Sequence, residues 1–228
     1  IWGFVFGATA MSSAALPLAA IFPGISLTLW AIIMGLSGLV MVWFGRYALF
    51  EKITAALIGI MFVTVVGLAI LASPNIPEMI KGLRPIIPDG PNGLIYTLAL
   101  AGGVGGTITL AAYGYWLREK GWYTFKWMRV MRIDNSVAYL LTGIFVISML
   151  IVGAEVVRTA GISLSAGDAG LLDLFAVLKT EYGNFIGTSF LIGFWAASFS
   201  SLIGVWNGVS LMFADFWGNT RGLNSGHP

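Results

Sequence analysis

The stretch "LALAGGVGGTITLAAYGYW", residues 98–116, lies in an apolar run long enough to cross a bilayer, yet it holds four glycines within five positions. A glycine inside a helix costs about 1 kcal/mol relative to alanine. In hydrocarbon, every backbone N–H or C=O that a distortion frees must find another partner. The stretch therefore predicts either a close contact between helices or a break in this helix.

Two features of the stretch bear on that choice. Gly102 and Gly106 have the four-residue spacing that lets two helices approach closely. Thr107 and Thr109 favour a break, because their hydroxyls add oxygen ligands beside unwound backbone, as in the ion sites of many secondary transporters. If the helix is broken, we expect irregular backbone between Gly102 and Thr109 and a Gly106 carbonyl without a partner in its own helix.

The composition indicates an all-α membrane protein. Hydrophobic residues make up 58% of the 228 residues and charged residues 10%, whereas about a quarter of the residues in soluble domains are charged. Apolar runs of about 20 residues predict membrane spans. They give five full spans and a partial one within a single transmembrane domain over residues 1–228: 1–20 (partial), 25–45, 52–73, 92–117 (broken), 134–157 and 185–213.

Several classes of protein are not expected. The absence of cysteine excludes a disulfide framework and a thiolate metal site. A net charge of +2 is too small to indicate a nucleic-acid partner, and no nucleophile–base pair, phosphate loop or hydrolytic metal motif indicates an enzyme. The chain begins inside an apolar run, without a methionine, a positive flank or a cleavage signal. We therefore expect it to be a piece of a longer protein.

The basic residues predict how the chain is oriented, since positive loops face the cytoplasm. They fall in three stretches: around Arg46 and Lys52, from Arg118 to Arg132, and at Arg221. The loops between these stretches are neutral to acidic. The alternation of sign supports the span count, and the glycine-rich helix is expected to leave the membrane into the cytoplasm.

Two further features carry structural predictions. Residues 165–183 have apolar positions near helical spacing and end in Gly183, which predicts a helix lying at the membrane surface. Asn207, inside a span beside Gly208, predicts a hydrogen bond between helices. The aromatic residues near span ends predict interfacial anchors: Trp116, Trp122, Tyr123 and Trp127.

Three stretches resemble the Nramp family of divalent-metal transporters. "GGTITLAAYGYW", residues 105–116, is similar to the sixth transmembrane helix of that family, where the familiar pattern is Ala-Thr-Val-Met-Pro-His-Asn. "RYALFEKITAALIGIMF", residues 46–62, is similar to its fourth-to-fifth helix junction. Residues 174–217 are similar to the approach to its eighth helix and the body of that helix. The resemblance covers most of the chain, from about residue 25 to 217.

The resemblance implies a leucine-transporter-like fold of two inverted repeats, with a divalent metal ion held between the unwound first and sixth helices. This chain would supply the end of helix three and helices four to eight, and its partners would be the missing helices, the lipid bilayer and the metal ion. The metal ligands that carry over are the carbonyl of Gly106, at the family's alanine, and Thr109, at its methionine. The ion is cargo and no cofactor is expected. The resemblance places the protein in the cell membrane.

The departures from the family pattern indicate which metal is carried. The thioether of methionine is a soft ligand, whereas the hydroxyl of Thr109 is hard and suits magnesium. Magnesium usually keeps several waters, and glycine at position 106 removes a methyl group where that water would need room. The family's histidine is replaced by Ala111. This set resembles the Nramp-related magnesium transporters, which carry magnesium and manganese.

Three alternatives remain open at this level. A proton-coupled manganese and iron transporter of the Nramp type shares the fold. An amino-acid transporter of the same fold also breaks its sixth helix, with the half-helix facing the substrate carboxylate. A purely structural membrane subunit would keep the glycines for packing.

Overall fold

The computed structural model describes residues 2–44, 47–72, 76–77, 80, 92–103, 107–161, 165 and 168–222. Within these ranges the chain forms α-helices and one short 3₁₀ turn, and no strand, which confirms the all-α prediction. The helices are α1 (Trp2–Ile21), α2 (Leu27–Phe44), α3 (Tyr47–Leu71), α4 (Gly93–Gly103), α5 (Thr107–Glu119), α6 (Met128–Ala160), α7 (Asp168–Tyr182) and α8 (Asn184–Thr220).

Four of the described helices contain segments long and apolar enough to cross a membrane. These segments are Leu27–Phe44, Tyr47–Leu71, Phe125–Glu155 and Asn184–Thr220. A shorter apolar helix covers Val5–Ile21. The run predicted as a broken span over residues 92–117 corresponds to the two short helices α4 and α5, the second of which ends two residues later, at Glu119. Large apolar side chains on these helices are widely exposed, as a lipid-facing surface requires.

Helix α8 is the centre around which the other helices pack. It contacts α1, α2, α3, α5 and α7. Half of its apolar segment is buried, compared with 11–22% of the other three candidate spans. Because lipid tails are as apolar as leucine, such packing rests on close van der Waals contact more than on hydrophobicity.

Glycines on and around α8 provide that close contact. A Cβ atom added to Gly193 would lie 2.9 Å from the Cβ of Thr64 on α3. One added to Gly38 on α2 would lie 3.4 Å from the side chains of Leu202 and Trp206. The absence of a side chain at Gly193 therefore lets Thr64 of α3 lie directly against the backbone of α8.

Two buried clusters fill the bundle. The first joins α1, α2, α3 and α8 and includes Ala14, Ala196 and Leu202, which have no exposed surface. The second joins α3, α6, α7 and α8 and includes Val152 and Phe190. Both clusters contain residues of α8, so this helix connects the two parts of the core.

The helix predicted over residues 165–183 is present as α7. Gly183 follows it with a φ of 90°, a left-handed conformation that glycine adopts without strain and that turns the chain into α8. Leu174 and Leu178 are 4% and 2% exposed and pack against the first turns of α8. The apolar side of α7 therefore contacts protein, which the surface-helix prediction did not include.

Contacts between helix ends place the three basic stretches on one side of the bundle. The Lys120 ammonium lies 2.6 Å from a carboxylate oxygen of Glu51, near the start of α3. The Tyr115 hydroxyl near the end of α5 bonds to Asp215 near the end of α8. We call this side, which carries Lys52, residues 118–132 and Arg221, the basic end. It is the side predicted to face the cytoplasm.

Replacing Gly193 by alanine tests the close contact between α3 and α8. The added methyl group collides with Thr64, so we expect a loss of about 1–3 kcal/mol in stability. Gly204→Ala on the same helix is the matched control, because an added Cβ there meets nothing within 4 Å. Since alanine has the better helix propensity, we expect this variant to gain up to about 1 kcal/mol in stability. Thermal unfolding in detergent measures both. Equal midpoints for the two variants would contradict the packing.

Candidate metal site and its support

Of the two predicted metal ligands, the structure describes only the backbone of Thr109. Gly106 lies outside the described residues. Thr109 is the third residue of α5, with helical backbone and a side chain outside the description. Helix α4 includes Gly102 and Gly103, and α5 begins at Thr107. The backbone is therefore helical at Gly102, Gly103 and Thr107–Thr109, and the expectation of irregular backbone at these positions was wrong. Residues 104–106 lie outside the described residues, so a break there and both ligands stay predictions.

Helix α5 packs against α8 through a contact between two small residues. Ala112 is 3% exposed. A Cβ atom added to Gly208 would lie 2.8 Å from the Cβ of Ala112, closer than real Cβ atoms approach. A glycine is therefore required at position 208 for α5 to lie where it does. This contact is one helical turn beyond Thr109.

A hydrogen bond one turn further along α5 fixes its rotation. The Trp116 indole N–H donates to the Asn207 side-chain oxygen at 2.8 Å. This bond confirms the prediction that Asn207 bonds between helices. Trp116, predicted as an interfacial anchor, is half-buried and bonded to protein. The bond gives the indole N–H and the amide oxygen a partner within the bundle, as buried polar groups require.

Two tyrosines of α5 bond to carboxylates on different helices. The Tyr115 hydroxyl donates to Asp215 of α8 at 2.9 Å. The Tyr113 hydroxyl donates to Asp134 of α6, also at 2.9 Å. Hydrogen bonds to an ionised acceptor are stronger than neutral ones. The second half of α5 is thus held to α8 on one side and to α6 on the other.

These four residues were not singled out from the sequence, and the reason is visible in the helix lengths. Asp215 lies two residues beyond the predicted span of 185–213, yet α8 continues to Thr220. Asp134 begins the predicted span of 134–157, yet α6 begins at Met128. A span predicted from hydropathy stops near the first charged residue, even where the helix itself continues. The signal that could have found the pairs is a carboxylate at a span end on the same side of the membrane as a tyrosine.

The carboxylates of the described residues do not gather into a metal centre. Within the described part of the chain, no group of three or more His, Cys, Asp or Glu side chains could hold a metal ion. The polar groups around α5 instead form pairwise hydrogen bonds between helices. In this part of the molecule they hold α5 in place.

The chain is thus a multi-pass, all-helical integral membrane protein, in which α5, a short helix of 13 residues, packs against the central helix α8. A family model described as "Natural resistance-associated macrophage protein-like" matches residues 3–227, and the chain belongs to this family, Nramp. Membership implies transport of divalent metal cations, and members of the family are transporters. Searches of curated proteins and of solved structures found no match.

The Trp116–Asn207 bond can be measured by a double-mutant cycle. We expect Trp116→Phe and Asn207→Leu each to destabilise the protein, and the double variant to lose less than the sum. The expected coupling is about 0.6 kcal/mol, with an upper limit near 1.7 kcal/mol, as for other hydrogen bonds between membrane helices. Unfolding in detergent provides the four values. Strict additivity would mean that the two side chains do not interact.

Proposed function

We propose that the protein is a secondary transporter of magnesium and manganese ions in the cell membrane. The transported ion is the substrate, and this chain contributes the Gly106 carbonyl and the Thr109 hydroxyl to its coordination. The observation that carries the proposal is Thr109, which stands in this chain where the family has a methionine.

The chemistry of that replacement decides between metals. A thioether prefers soft or intermediate ions, whereas a neutral hydroxyl oxygen prefers hard ions such as magnesium and still accepts manganese. Magnesium gives up its water reluctantly, so its site must hold a partly hydrated ion. Glycine at 106 and threonine at 109 are both smaller than the family's residues, which leaves room for that water.

The packing of α5 against α8 supports a metal site with a fixed geometry at the start of α5. Ala112 contacts Gly208 three residues after Thr109, about 4.5 Å along the helix axis. Ligands must be held within a few tenths of an ångström to select an ion. A buried contact one turn away restricts where the start of α5 can lie.

The proton-coupled alternative requires titratable groups along the path. Position 111, where the family has histidine, is alanine. In the candidate membrane spans the acidic residues lie toward the helix ends and not at their centres: Glu51, Asp134, Glu155 and Asp215. This part of the molecule therefore favours transport without strong proton coupling.

The amino-acid alternative has less support. A transporter of that class binds its substrate carboxylate at a half-helix N-terminus, and α5 does offer such a terminus at Thr107. The family match to residues 3–227 favours a metal cation as the substrate.

Thr109→Met tests the selectivity directly. In the full-length protein we expect the variant to bind manganese and cadmium more tightly and magnesium more weakly. A change of about tenfold in the ratio of dissociation constants corresponds to roughly 1.4 kcal/mol. Isothermal titration with each metal measures it. Thr109→Ser should keep the magnesium preference because the hydroxyl remains.

The matched control is Thr142→Met on α6, where the hydroxyl bonds to the Ala138 carbonyl of its own helix. It makes the same chemical change away from α5 and should leave metal preference unaltered. If Thr109→Met behaves like Thr142→Met, Thr109 is not a ligand.

Proton coupling is tested in liposomes that contain purified full-length protein and a pH-sensitive dye. We expect added magnesium or manganese to enter without acidifying the interior, because no Asp, Glu or His lies in the central part of the candidate membrane spans. Acidification that tracks metal entry, and that is lost when transport is abolished, would contradict this and favour the proton-coupled alternative.

A further inference from the structure

A cavity at the basic end has no role in the function described above. Its volume is 170 Å³, and it lies where the start of α3, the end of α5 and the start of α6 meet. Because about 15 Å³ of such volume suffices for one water, the cavity has room for a small organic group. Its walls are mostly aromatic, with one lysine and one carboxylate: Tyr47, Tyr113, Trp116, Leu117, Lys120, Trp122 and Asp134.

The turn after α5 builds one wall of this cavity. Gly121 has a φ of 72° and ends the helix. The Trp122 N–H bonds back to the Leu117 carbonyl and the Gly121 N–H to the Arg118 carbonyl, the bonding pattern of a Schellman motif. This motif folds the chain back, so that Trp122 lines the cavity beside Lys120.

The two charged groups of the cavity retain bonding capacity. One oxygen of Asp134 accepts the Tyr113 hydroxyl, and a carboxylate has further lone pairs that can accept from a donor. The Lys120 ammonium contacts Glu51 at 2.6 Å and lies 4.6 Å from the centre of the Trp122 ring. An ammonium has three N–H donors, so Lys120 can also bind an anion. The cavity thus presents the Asp134 carboxylate and the Lys120 ammonium among aromatic rings, with the ammonium already paired with Glu51.

The position of the cavity indicates where its ligand comes from. Tyr47 is the first residue of a candidate span, and Asp134 lies near the start of another. Residues at span ends lie at the level of the lipid headgroups. The cavity is therefore expected to lie near the level of the phospholipid headgroups.

We propose that the cavity binds the phosphoethanolamine group of a phospholipid, with the ammonium among the aromatic rings beside Asp134 and the phosphate at Lys120. Aromatic faces attract organic cations, and charge-assisted hydrogen bonds hold both ends of a zwitterion. A primary ammonium can donate to Asp134, whereas the quaternary ammonium of phosphocholine cannot. The proposal does not depend on which metal is transported.

Native mass spectrometry of the purified, delipidated full-length protein tests this site. Phosphatidylethanolamine, phosphatidylcholine and phosphatidylglycerol with identical acyl chains are titrated separately. We expect one phosphatidylethanolamine to bind at least about fivefold more tightly than either of the others, the factor typical of one such polar or cation–π contact. Equal binding of all three lipids, or a preference for phosphatidylglycerol, would overturn the proposal.

Two pairs of variants assign the preference to the cavity. Trp122→Leu should abolish it, whereas Tyr123→Leu, which changes the neighbouring side chain that is 75% exposed, should keep it. Lys120→Gln should weaken binding, whereas Arg129→Gln, an equal change of charge at an exposed residue of the same basic stretch, should not. Asp134→Asn should remove the distinction between ethanolamine and choline. Lipid preference that is insensitive to Trp122, Lys120 and Asp134 would refute the site.

Soluble phosphoethanolamine distinguishes a lipid from a free ligand and needs no variant. If it displaces phosphatidylethanolamine from the wild-type protein and raises its unfolding temperature, the cavity recognises the headgroup alone. If only the lipid binds and the variants above abolish that binding, the site is confirmed as one for membrane lipid. If neither compound binds, the proposal is wrong.

Discussion

The contact between Ala112 of α5 and Gly208 of α8 is the constraint on which the rest of the candidate site depends. Any side chain at position 208 would push α5 away, since an added Cβ would come within 2.8 Å of Ala112. Without a hydrophobic force between helices in lipid, such close contact is what holds them together. The Trp116–Asn207 bond beside it selects one rotation of α5.

The hydrogen bonds of α5 are unevenly placed along its length. Tyr113, Tyr115 and Trp116 bond to α6 or α8, and all three lie at or beyond the midpoint of the helix. The predicted ligand Thr109 lies in the first turn. The helix is thus fixed toward the basic end, and Ala112 is the described buried residue of α5 that is nearest in sequence to Thr109. A 13-residue helix is about 20 Å long, so these hydrogen bonds lie some distance along the helix from its first turn.

The sequence allowed much of the fold to be predicted, because hydrocarbon permits few alternatives to helices. The bond made by Asn207 was also predictable, since a buried amide in a span needs a partner. The pairing of Tyr115 with Asp215 was not, because the two residues are 100 positions apart and meet only once the helices pack. The contact of α7 with α8 was missed for a similar reason: an apolar helix face looks the same whether protein or lipid covers it. The ligand assignments at Gly106 and Thr109 rest on the resemblance and on ligand chemistry, and they stay predictions.

The most direct measurement is the anomalous scattering of manganese in crystals of the full-length protein. We expect a single strong peak within about 2.5 Å of the Gly106 carbonyl oxygen and the Thr109 hydroxyl, a distance suited to oxygen ligands of a divalent ion. We also expect excess magnesium to remove the peak. A manganese peak elsewhere in the molecule, with neither of these oxygens in contact, would contradict the account.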